Sequence, residues 1–404
     1  MGDWLLAVHS GAGRYGSANE AAYLSVLRSA LETTHRCIAA ANSPLTAPQI
    51  AVKLLESFEL STLTNAGLGA NLTERGRVEC EASVVCGQTH LASCCGAVRG
   101  VERPSSLALK LLQQVEGGGD SNAKFAFGRQ PPLVVVGDQA RHLARGFGLE
   151  TATENDQELE RYQVTDKAQD YWDKWHRRFL ESDETQEEDE RLDTVGAICM
   201  DPKGNVAAAL SSGGVAYKVP GRLGLAGCPR MGCDAANAVL VDKRIGRKRK
   251  RRAEKKTKNA FAVACTGRGE HFIRSNFVGR LTRRLEKAAD LERGLRRTFL
   301  ESSEVNGGVG AQGGVLALVS APSETSGAEK DDTPGSSTSR TVQLGAAFTT
   351  PCMGVGFSHC RADAEPQVQI QLLRRPESRQ LAGDRSRQDL SVHVSFLGLD
   401  ASPG

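Results

Sequence analysis

Asp193 and Thr194 form the dipeptide in this chain whose position is most suggestive of chemistry. It follows ESDETQEEDE (residues 181–190), in which seven of ten residues are acidic, and it precedes the apolar run VGAICM. A threonine hydroxyl is a weak nucleophile at neutral pH unless a base lies beside it. As the first residue of a chain, Thr194 would have its own α-amine, with a pKa of about 8, as that base. The dipeptide therefore predicts a cut between Asp193 and Thr194.

The neighbouring elements must hold such a threonine while the preceding segment leaves. An acidic run of this kind buries too little apolar surface to order itself, which predicts a flexible tract over residues 181–193. The segments TVGAICM and NVAAALSSGG predict a buried hairpin whose turn is DPKGN (residues 201–205). An Asp-Thr pair before a strand is also common as a plain loop-to-strand boundary, so the dipeptide alone leaves both interpretations open.

The rest of the chain alternates helical and strand patterns. Apolar residues recur at helical spacing over residues 19–40 and 48–58, and a third helix is expected over 105–115, after a proline. LLAVHSGAG reads as a strand ending in a glycine turn, and VECEASVVCG and ASCCGAVRG read as paired strands. The sequence predicts a mixed α and β domain.

Composition limits the classes of function. The 404 residues are 40% hydrophobic with a net charge of +3, which is typical of a soluble globular protein with a large core. No apolar run is long enough to span a membrane, and the N-terminus lacks the pattern of a secretion signal. The eleven cysteines contain no CxxC pair. We therefore expect reduced thiols, no metal site, no cofactor and no membrane partner.

Two further segments read as surface insertions in one continuous fold. The basic insertion, residues 243–258, carries 11 basic residues and one acidic residue. Such a run attracts phosphates and the acidic grooves of nuclear import receptors, and it predicts a protein of nucleus and cytoplasm. A solvated loop without a partner is the alternative. The polar insertion, residues 322–339, is rich in Ser, Thr, Gly and Asp.

The segment DTVGAICMDPKGNVAAALSSGG resembles the processing site of the type 2 asparaginase family of N-terminal nucleophile hydrolases. HSGAG (9–13), TNAGLGANLTERGRVECEAS (64–83), PGRLG (220–224) and CTGRGEHFIR (265–274) are similar to that family's other motifs, in the same order. Within the family, GRQPPLVVVG and FTTPCMGVGF are similar to the threonine aspartase branch, the taspases.

The resemblance implies an α+β fold, a four-layer αββα sandwich that cuts itself into two subunits. Residues 1–193 would form the α subunit and residues 194–404 the β subunit, and together they would be one structural domain. Two such processed heterodimers would pair into a dimer.

The resemblance also implies roles for individual residues. Thr194 would be the nucleophile, Ser212 would hydrogen-bond it, and Thr266 and Gly267 would bind the oxyanion. The residues implied for substrate binding and for the turn near the scissile bond are Arg222, Gly269, Asn65, Gly11, His9 and Gly13. Each has a structural alternative: a core histidine, glycines with positive φ, a turn-forming asparagine, a strand-end serine or a surface arginine in a salt bridge.

Leu225 departs from the pattern of plain asparaginases, in which an aspartate three residues after the arginine holds the substrate's free α-amine. A leucine cannot pair with an ammonium group. This favours a threonine endopeptidase that cleaves after an internal aspartate in nuclear regulatory proteins. The alternatives are an isoaspartyl peptidase/L-asparaginase and a catalytically idle family member that binds nuclear partners through its basic segment. Glu81 and Cys86 also replace aspartates usual in the family.

Overall fold

The computed structural model describes residues 3–117, 129–153, 155–181, 193–242, 255–308, 310–322, 340–360, 365–375 and 392–398. Most of the predicted insertions lie outside the described residues: 182–192 of the acidic tract, 243–254 of the basic insertion and 323–339 of the polar insertion.

Strands supply most of the described structure. They are β1 (Trp4–Gly13), β2 (Cys80–Cys86), β3 (Ala92–Val98), β4 (Val134–Val136), β5 (Val195–Met200), β6 (Val206–Ser212), β7 (Cys233–Ala236), β8 (Val239–Asp242), β9 (Lys255–Lys258), β10 (Ala260–Gly267), β11 (Gly313–Pro322), β12 (Arg340–Phe348), β13 (Cys352–Cys360), β14 (Gln367–Arg374) and β15 (His393–Phe396).

Helices supply the rest of the described regular structure, apart from two short 3₁₀ turns. They are α1 (Glu20–Ala40), α2 (Ala47–Glu59), α3 (Pro104–Val115), α4 (Gly137–Gly146), α5 (Asp156–Arg161), α6 (Asp166–Glu181), α7 (Gly269–Arg274), α8 (Phe277–Leu285) and α9 (Leu291–Val305). Short 3₁₀ turns occupy Ser17–Asn19 and Gly67–Gly69.

Two sheets face each other. The larger has the strand order β14-β13-β1-β5-β6-β2-β3-β4, and the smaller has the order β15-β12-β11-β10-β7. Neighbouring strands are antiparallel except β3 and β4, which are parallel. β1, β5 and β6 of the larger sheet contact β10 and β11 of the smaller one.

Helices close the outer faces, which gives four layers. α1, α2 and α3 pack on the larger sheet, and α8 and α9 pack on the smaller one. One apolar core fills the space between the sheets and continues under α8 and α9, and a second lies between the larger sheet and α1 to α3. The α+β class and the layer order predicted from the sequence are present.

Local sequence explains several boundaries. Helix α2 begins with a capping box, in which the backbone N–H of Thr46 donates to Gln49 Oε1 at 2.8 Å, and Pro48 follows within the first turn. The turn between β5 and β6 is closed by Asp201, whose Oδ1 accepts from the N–H groups of Lys203 and Asn205 at 2.9 and 2.8 Å. This confirms the predicted hairpin.

The last four residues of the basic insertion are not part of a loop. Lys255–Lys258 form β9, which pairs antiparallel with β8. The eleven cysteines all lie within the described residues and are free thiols, nine of them buried. Among the described helices, none is both long and apolar enough to cross a membrane.

Candidate active site

Thr194 lies directly before β5, at the centre of the larger sheet. It is 7% exposed, and its Oγ1 donates to Oγ of Ser212 at 3.3 Å. The register of the hairpin explains this contact, because Val195 pairs with Ser211 and the next pair outward brings the two hydroxyl side chains together. The sequence prediction that Ser212 contacts Thr194 therefore agrees with the geometry.

The loop after β6 is built to hold Ser212 in place. Gly214 has a φ of +71°, and its N–H donates to Ser212 Oγ at 2.9 Å. A Cβ on Gly213 would lie 2.4 Å from Asn65 Oδ1, so only glycine fits there. Asn65 Nδ2 donates to the carbonyl of Gly214 at 2.7 Å. Asn65 thus supports the loop that carries the serine.

Two side chains that the sequence analysis missed also support this loop. Asn71 Nδ2 donates to the Gly214 carbonyl at 2.9 Å. Lys218 is only 4% exposed, and its Nζ donates to the carbonyls of Gly213, at 2.5 Å, and Glu79. Burial lowers the pKa of Lys218, while the charge of Glu81 acts to raise it. Burying a lysine is energetically costly, so a buried lysine usually has a structural or functional role. The residues around Lys218 show no pattern from which its burial could be predicted.

His9 lies on β1, next to β5, the strand that follows Thr194. It pairs with Gly196 across β1 and β5, and a Cβ on Gly196 would lie 2.1 Å from its Nε2 atom. This close approach explains the glycine that follows Thr194-Val195. Burial lowers the pKa of His9 to about 3, and the backbone of Thr194 acts in the opposite direction. His9 is therefore neutral at pH 7, as a core histidine would be.

A narrow pocket opens beside Thr194. Its described lining comprises Asn65, Glu81, Asp193, Thr194, Ser212, Gly214, Val215, Arg222, Leu225, Gly267 and Gly269. Seven of these residues were singled out from the sequence as catalytic, autocleavage or substrate-binding residues. Asp193, the residue joined to Thr194, lines the same pocket as Arg222.

Thr266, Gly11 and Gly13 are not in that described lining. Thr266 is fully buried at the end of β10 and pairs with Gly314 on β11. Gly11 has a φ of +118° at an irregularity in the β1–β13 pairing, and Gly13 pairs with Cys352. The positive φ supports the structural alternative for Gly11, which therefore shapes the strand rather than the described pocket wall.

Gly267 brings the smaller sheet to the site. It ends β10, lines the pocket and has a φ of +135°. A Cβ on it would lie 2.3 Å from the carbonyl oxygen of Gln312, which excludes any larger residue. Thr194, the expected nucleophile, and the expected oxyanion donors therefore come from different sheets, and the packing of the two sheets fixes the distance between them.

Arg222 is already in a salt bridge, the structural alternative given for it from the sequence, and its partner is Glu270. Its Nε and Nη2 atoms donate to Glu270 Oε1 at 2.9 and 2.8 Å, and Nη2 also donates to Oε2 at 2.8 Å. Desolvation raises the pKa of Glu270, but the charge and hydrogen bonds of Arg222 outweigh it and lower the pKa overall. The arginine fork is thus bound to a carboxylate of the chain itself.

The remaining pocket wall contains one buried carboxylate and one buried leucine. Glu81 Oε2 accepts from the N–H of Gly224 at 2.6 Å, and burial raises its pKa while the charges of Lys218 and Arg222 oppose the rise. Leu225 is 2% exposed. Among the described residues, no group of three His, Cys, Asp or Glu side chains is arranged to hold a metal ion.

Comparison with known proteins gives related sequences over most of the chain. The asparaginase family profile matches residues 2–241. The isoaspartyl peptidase of Salmonella typhimurium is 31% identical over 290 residues, which are 68% of this chain and 76% of that protein. The plant-type L-asparaginase of Pyrobaculum calidifontis is 30% identical over 293 residues, 71% of this chain and 81% of that protein.

The isoaspartyl peptidase/L-asparaginase of Xenopus laevis is 26% identical over 271 residues, 67% of this chain and 72% of that protein. The names of these three relatives match the isoaspartyl peptidase/L-asparaginase alternative better than the endopeptidase expectation.

Proposed function

Since the chain belongs to the type 2 asparaginase family of N-terminal nucleophile hydrolases, we propose that it cuts itself between Asp193 and Thr194 and then cleaves proteins after aspartate. One observation carries the proposal. Thr194 Oγ1, buried and hydrogen-bonded to Ser212, lies in a pocket that also contains Asp193, Arg222 and Gly267. That pocket joins a nucleophile, an attached aspartate and an oxyanion donor.

The first step is an acyl shift within the chain. Thr194 Oγ1 attacks the carbonyl carbon of Asp193, the hydroxyl proton passes to the Thr194 nitrogen as the C–N bond breaks, and an ester to the threonine side chain forms. Water then hydrolyses the ester, which releases the Asp193 carboxylate and leaves Thr194 with a free α-amine. That amine accepts the hydroxyl proton in later turnovers.

Each turnover needs donors for the oxyanion of the tetrahedral intermediate. The backbone N–H of Gly267 at the pocket wall supports such a role, and the adjacent Thr266 hydroxyl would be the second donor. Removing one donor of this kind costs about 3 kcal/mol of transition-state stabilisation. The rigid end of β10 keeps these groups preorganised.

Leu225 supports an internal aspartate as the substrate residue. A free amino acid brings an α-ammonium group, and a buried leucine offers it no partner. An aspartate within a peptide carries no such charge at the cleaved residue, and its carboxylate can take the fork of Arg222 from Glu270. A bidentate pair of this kind selects aspartate over asparagine.

A second candidate is an isoaspartyl peptidase/L-asparaginase, which the names of the relatives favour. In this chain the ammonium of a free amino acid would need another anion. Glu81 lines the same pocket and is a carboxylate. Glu81 rather than residue 225 would then hold the substrate amine, with Arg222 on its carboxylate.

One experiment separates these candidates. Purified protein is incubated with a peptide that contains one internal aspartate, the matched asparagine peptide, free asparagine and a β-aspartyl dipeptide. The endopeptidase proposal expects cleavage of the first substrate only. Release of ammonia from asparagine, or hydrolysis of the dipeptide, without cutting of the aspartate peptide would contradict the endopeptidase proposal and support an isoaspartyl peptidase/L-asparaginase. An intact chain by mass, inactive on all four, would support the idle family member.

A further inference from the structure

Helices α8 and α9 enclose a groove that the hydrolase site does not use. Its volume is about 660 Å³, and six of the residues that line it are basic while two, Asp290 and Glu301, are acidic. The basic residues are Arg280, Arg283, Arg284, Lys287, Arg293 and Arg297. The surplus of four positive charges in this basic groove exceeds the net charge of +3 of the full chain.

The inner part of the basic groove is preassembled around one carboxylate. Glu301 accepts from Arg280 Nη1 at 3.2 Å, from Arg284 Nη2 at 2.5 Å and from Arg297 Nε at 3.1 Å. Arg284 Nη1 also donates to Thr298 Oγ1 at 3.1 Å. These bonds hold three guanidinium groups together. Part of the side-chain conformational entropy of these arginines is therefore lost before a ligand binds, which lowers the cost of binding.

The outer part of the basic groove contains three cations and one acidic residue, Asp290, whose Oδ1 accepts from the backbone N–H of Arg293 at 3.0 Å. Arg283, Lys287 and Arg293 are exposed, and none of the three forms an ion pair with another described residue. Like charges gathered on one surface repel each other and raise the local concentration of anions. The three cations are therefore available to an anionic ligand that enters the groove.

The lining indicates which part of a ligand is recognised. Arginine forks match phosphate oxygens in geometry and charge. Only Ala288 and Gly294 are apolar in the described lining, and no aromatic side chain is there to stack on a base. The volume also lies within the range of small-molecule sites rather than of an extended nucleic-acid track. We propose that the basic groove binds compact oligophosphates through their phosphate groups.

The test is calorimetric titration of the purified full chain with sodium tripolyphosphate and with ATP at low salt. Because the proposed contacts are with the phosphate groups alone, the nucleoside of ATP should add little affinity. The two ligands should therefore bind with affinities within about threefold of each other. The double variant Arg283→Glu/Arg293→Glu should weaken both at least about 30-fold, since two attractive contacts become repulsive. Arg28→Glu on α1, an exposed charge reversal away from the groove, is the matched control and should change little.

Folding and competing sites are controlled in the same experiment. The double variant should keep the wild-type circular dichroism spectrum and thermal midpoint, because both residues are exposed. A second background replaces the basic residues of 243–252 with serine. Tripolyphosphate binding that persists there supports the groove, whereas its loss would assign binding to the basic insertion and overturn the proposal.

Two other outcomes would also overturn it. The double variant could bind tripolyphosphate as tightly as wild type. A single-stranded oligonucleotide could bind at least tenfold more tightly than tripolyphosphate through Arg283 and Arg293, which would make the surface a nucleic-acid site.

Discussion

The pocket beside Thr194 and the basic groove both contain arginines paired with a glutamate, but the balance of charge differs. Arg222 is the one arginine in the described lining of the pocket, its Nε and Nη2 atoms are bound by Glu270, and Glu81 and Asp193 also line the pocket. In the groove, one carboxylate, Glu301, is shared by three arginines, with more cations alongside. A ligand must displace an anion in the first case and can simply add to the cations in the second.

The difference in balance predicts a difference in selectivity. A carboxylate that displaces Glu270 must match its bidentate geometry, because a poorer contact would leave the arginine better satisfied by the chain itself. In the basic groove, the outer cations Arg283, Lys287 and Arg293 form no ion pair with another described residue, so an entering anion need not displace a bound carboxylate there. The pocket should therefore discriminate between similar substrates, whereas the groove should discriminate mainly by charge.

The largest expected effect separates chemistry from anion binding. Thr194→Ala removes the hydroxyl that attacks in both self-cleavage and turnover, so the chain should stay in one piece and lose at least about 10⁴-fold in kcat/KM. Tripolyphosphate binding at the groove should be unchanged. Intact mass and peptide hydrolysis check the first part, and the appearance of two fragments from this variant would contradict the proposed nucleophile.

Arg222→Ala should break the selectivity of the pocket. Loss of the charge-assisted fork should reduce kcat/KM for an aspartate peptide roughly ten- to hundredfold and flatten its preference over the asparagine peptide. Arg297→Ala removes a comparable partner of Glu301 and is the matched control, with less than about twofold effect on either peptide. Equal losses of kcat/KM in the two variants would show that Arg222 does not bind the aspartate side chain of the substrate.

A third carboxylate, Glu59, sharpens the comparison because it forms no salt bridge with any cation among the described residues. Glu59 is fully buried and accepts from Ser105 N, Ser105 Oγ and Ser211 Oγ at 2.9, 2.7 and 2.6 Å. Burial raises its pKa to about 7 from a usual value of 4.5. The folded state thus binds the proton more tightly, so this contribution to stability is complete below pH 4.5 and is lost as pH rises through 7.

Glu59→Gln should remove most of that pH dependence. Between pH 5 and 7 the wild-type free energy of unfolding should fall by up to about 1.4 kcal/mol per pH unit from this group, and the variant should lose that slope. The free energy of unfolding is measured by urea unfolding at each pH. Both proteins also carry Thr194→Ala, so that each is a single uncut chain. Glu32→Gln, an exposed carboxylate paired with Arg28, is the control. An unchanged slope would contradict the shifted pKa.

The smallest expected effect concerns Glu270, the carboxylate that the substrate must displace from Arg222. Glu270→Gln should lower KM for the aspartate peptide about two- to fivefold with kcat nearly unchanged, because Arg222 no longer has to leave a charged partner that is half exposed. Glu292→Gln on α9 removes a similar exposed pair with Arg296 and should do nothing. A tenfold higher KM would instead mean that Glu270 orients the fork for the substrate.

The elements that the sequence predicted well are those with local signals. The helical spacing of apolar residues gave α1 and α2 to within a residue at each end, and the turn residues gave the hairpin that carries Thr194. Glu270 and Lys218 could not be found in this way. Glu270 pairs with Arg222, 48 residues away, and lies on the helix that follows β10 of the smaller sheet, so this contact depends on how the two sheets pack. Lys218 donates to the carbonyls of Gly213 and Glu79, and these contacts depend on the pairing of β2 with β6 within the larger sheet.

The order of strands in the larger sheet has a consequence for assembly. β1, β2, β3 and β4 precede the proposed cut, and β5, β6, β13 and β14 follow it, yet β5 and β6 lie between β1 and β2. The two fragments are therefore interleaved, and separating them would break three rows of backbone hydrogen bonds, β1–β13, β1–β5 and β2–β6. If the proposed cut depends on the contact of Thr194 with Ser212 across β5 and β6, the sheet must form before the bond is cut. A cut chain is thus a chain that has already folded, and its fragments, once denatured apart, would have lost the continuous connection that first aligned them.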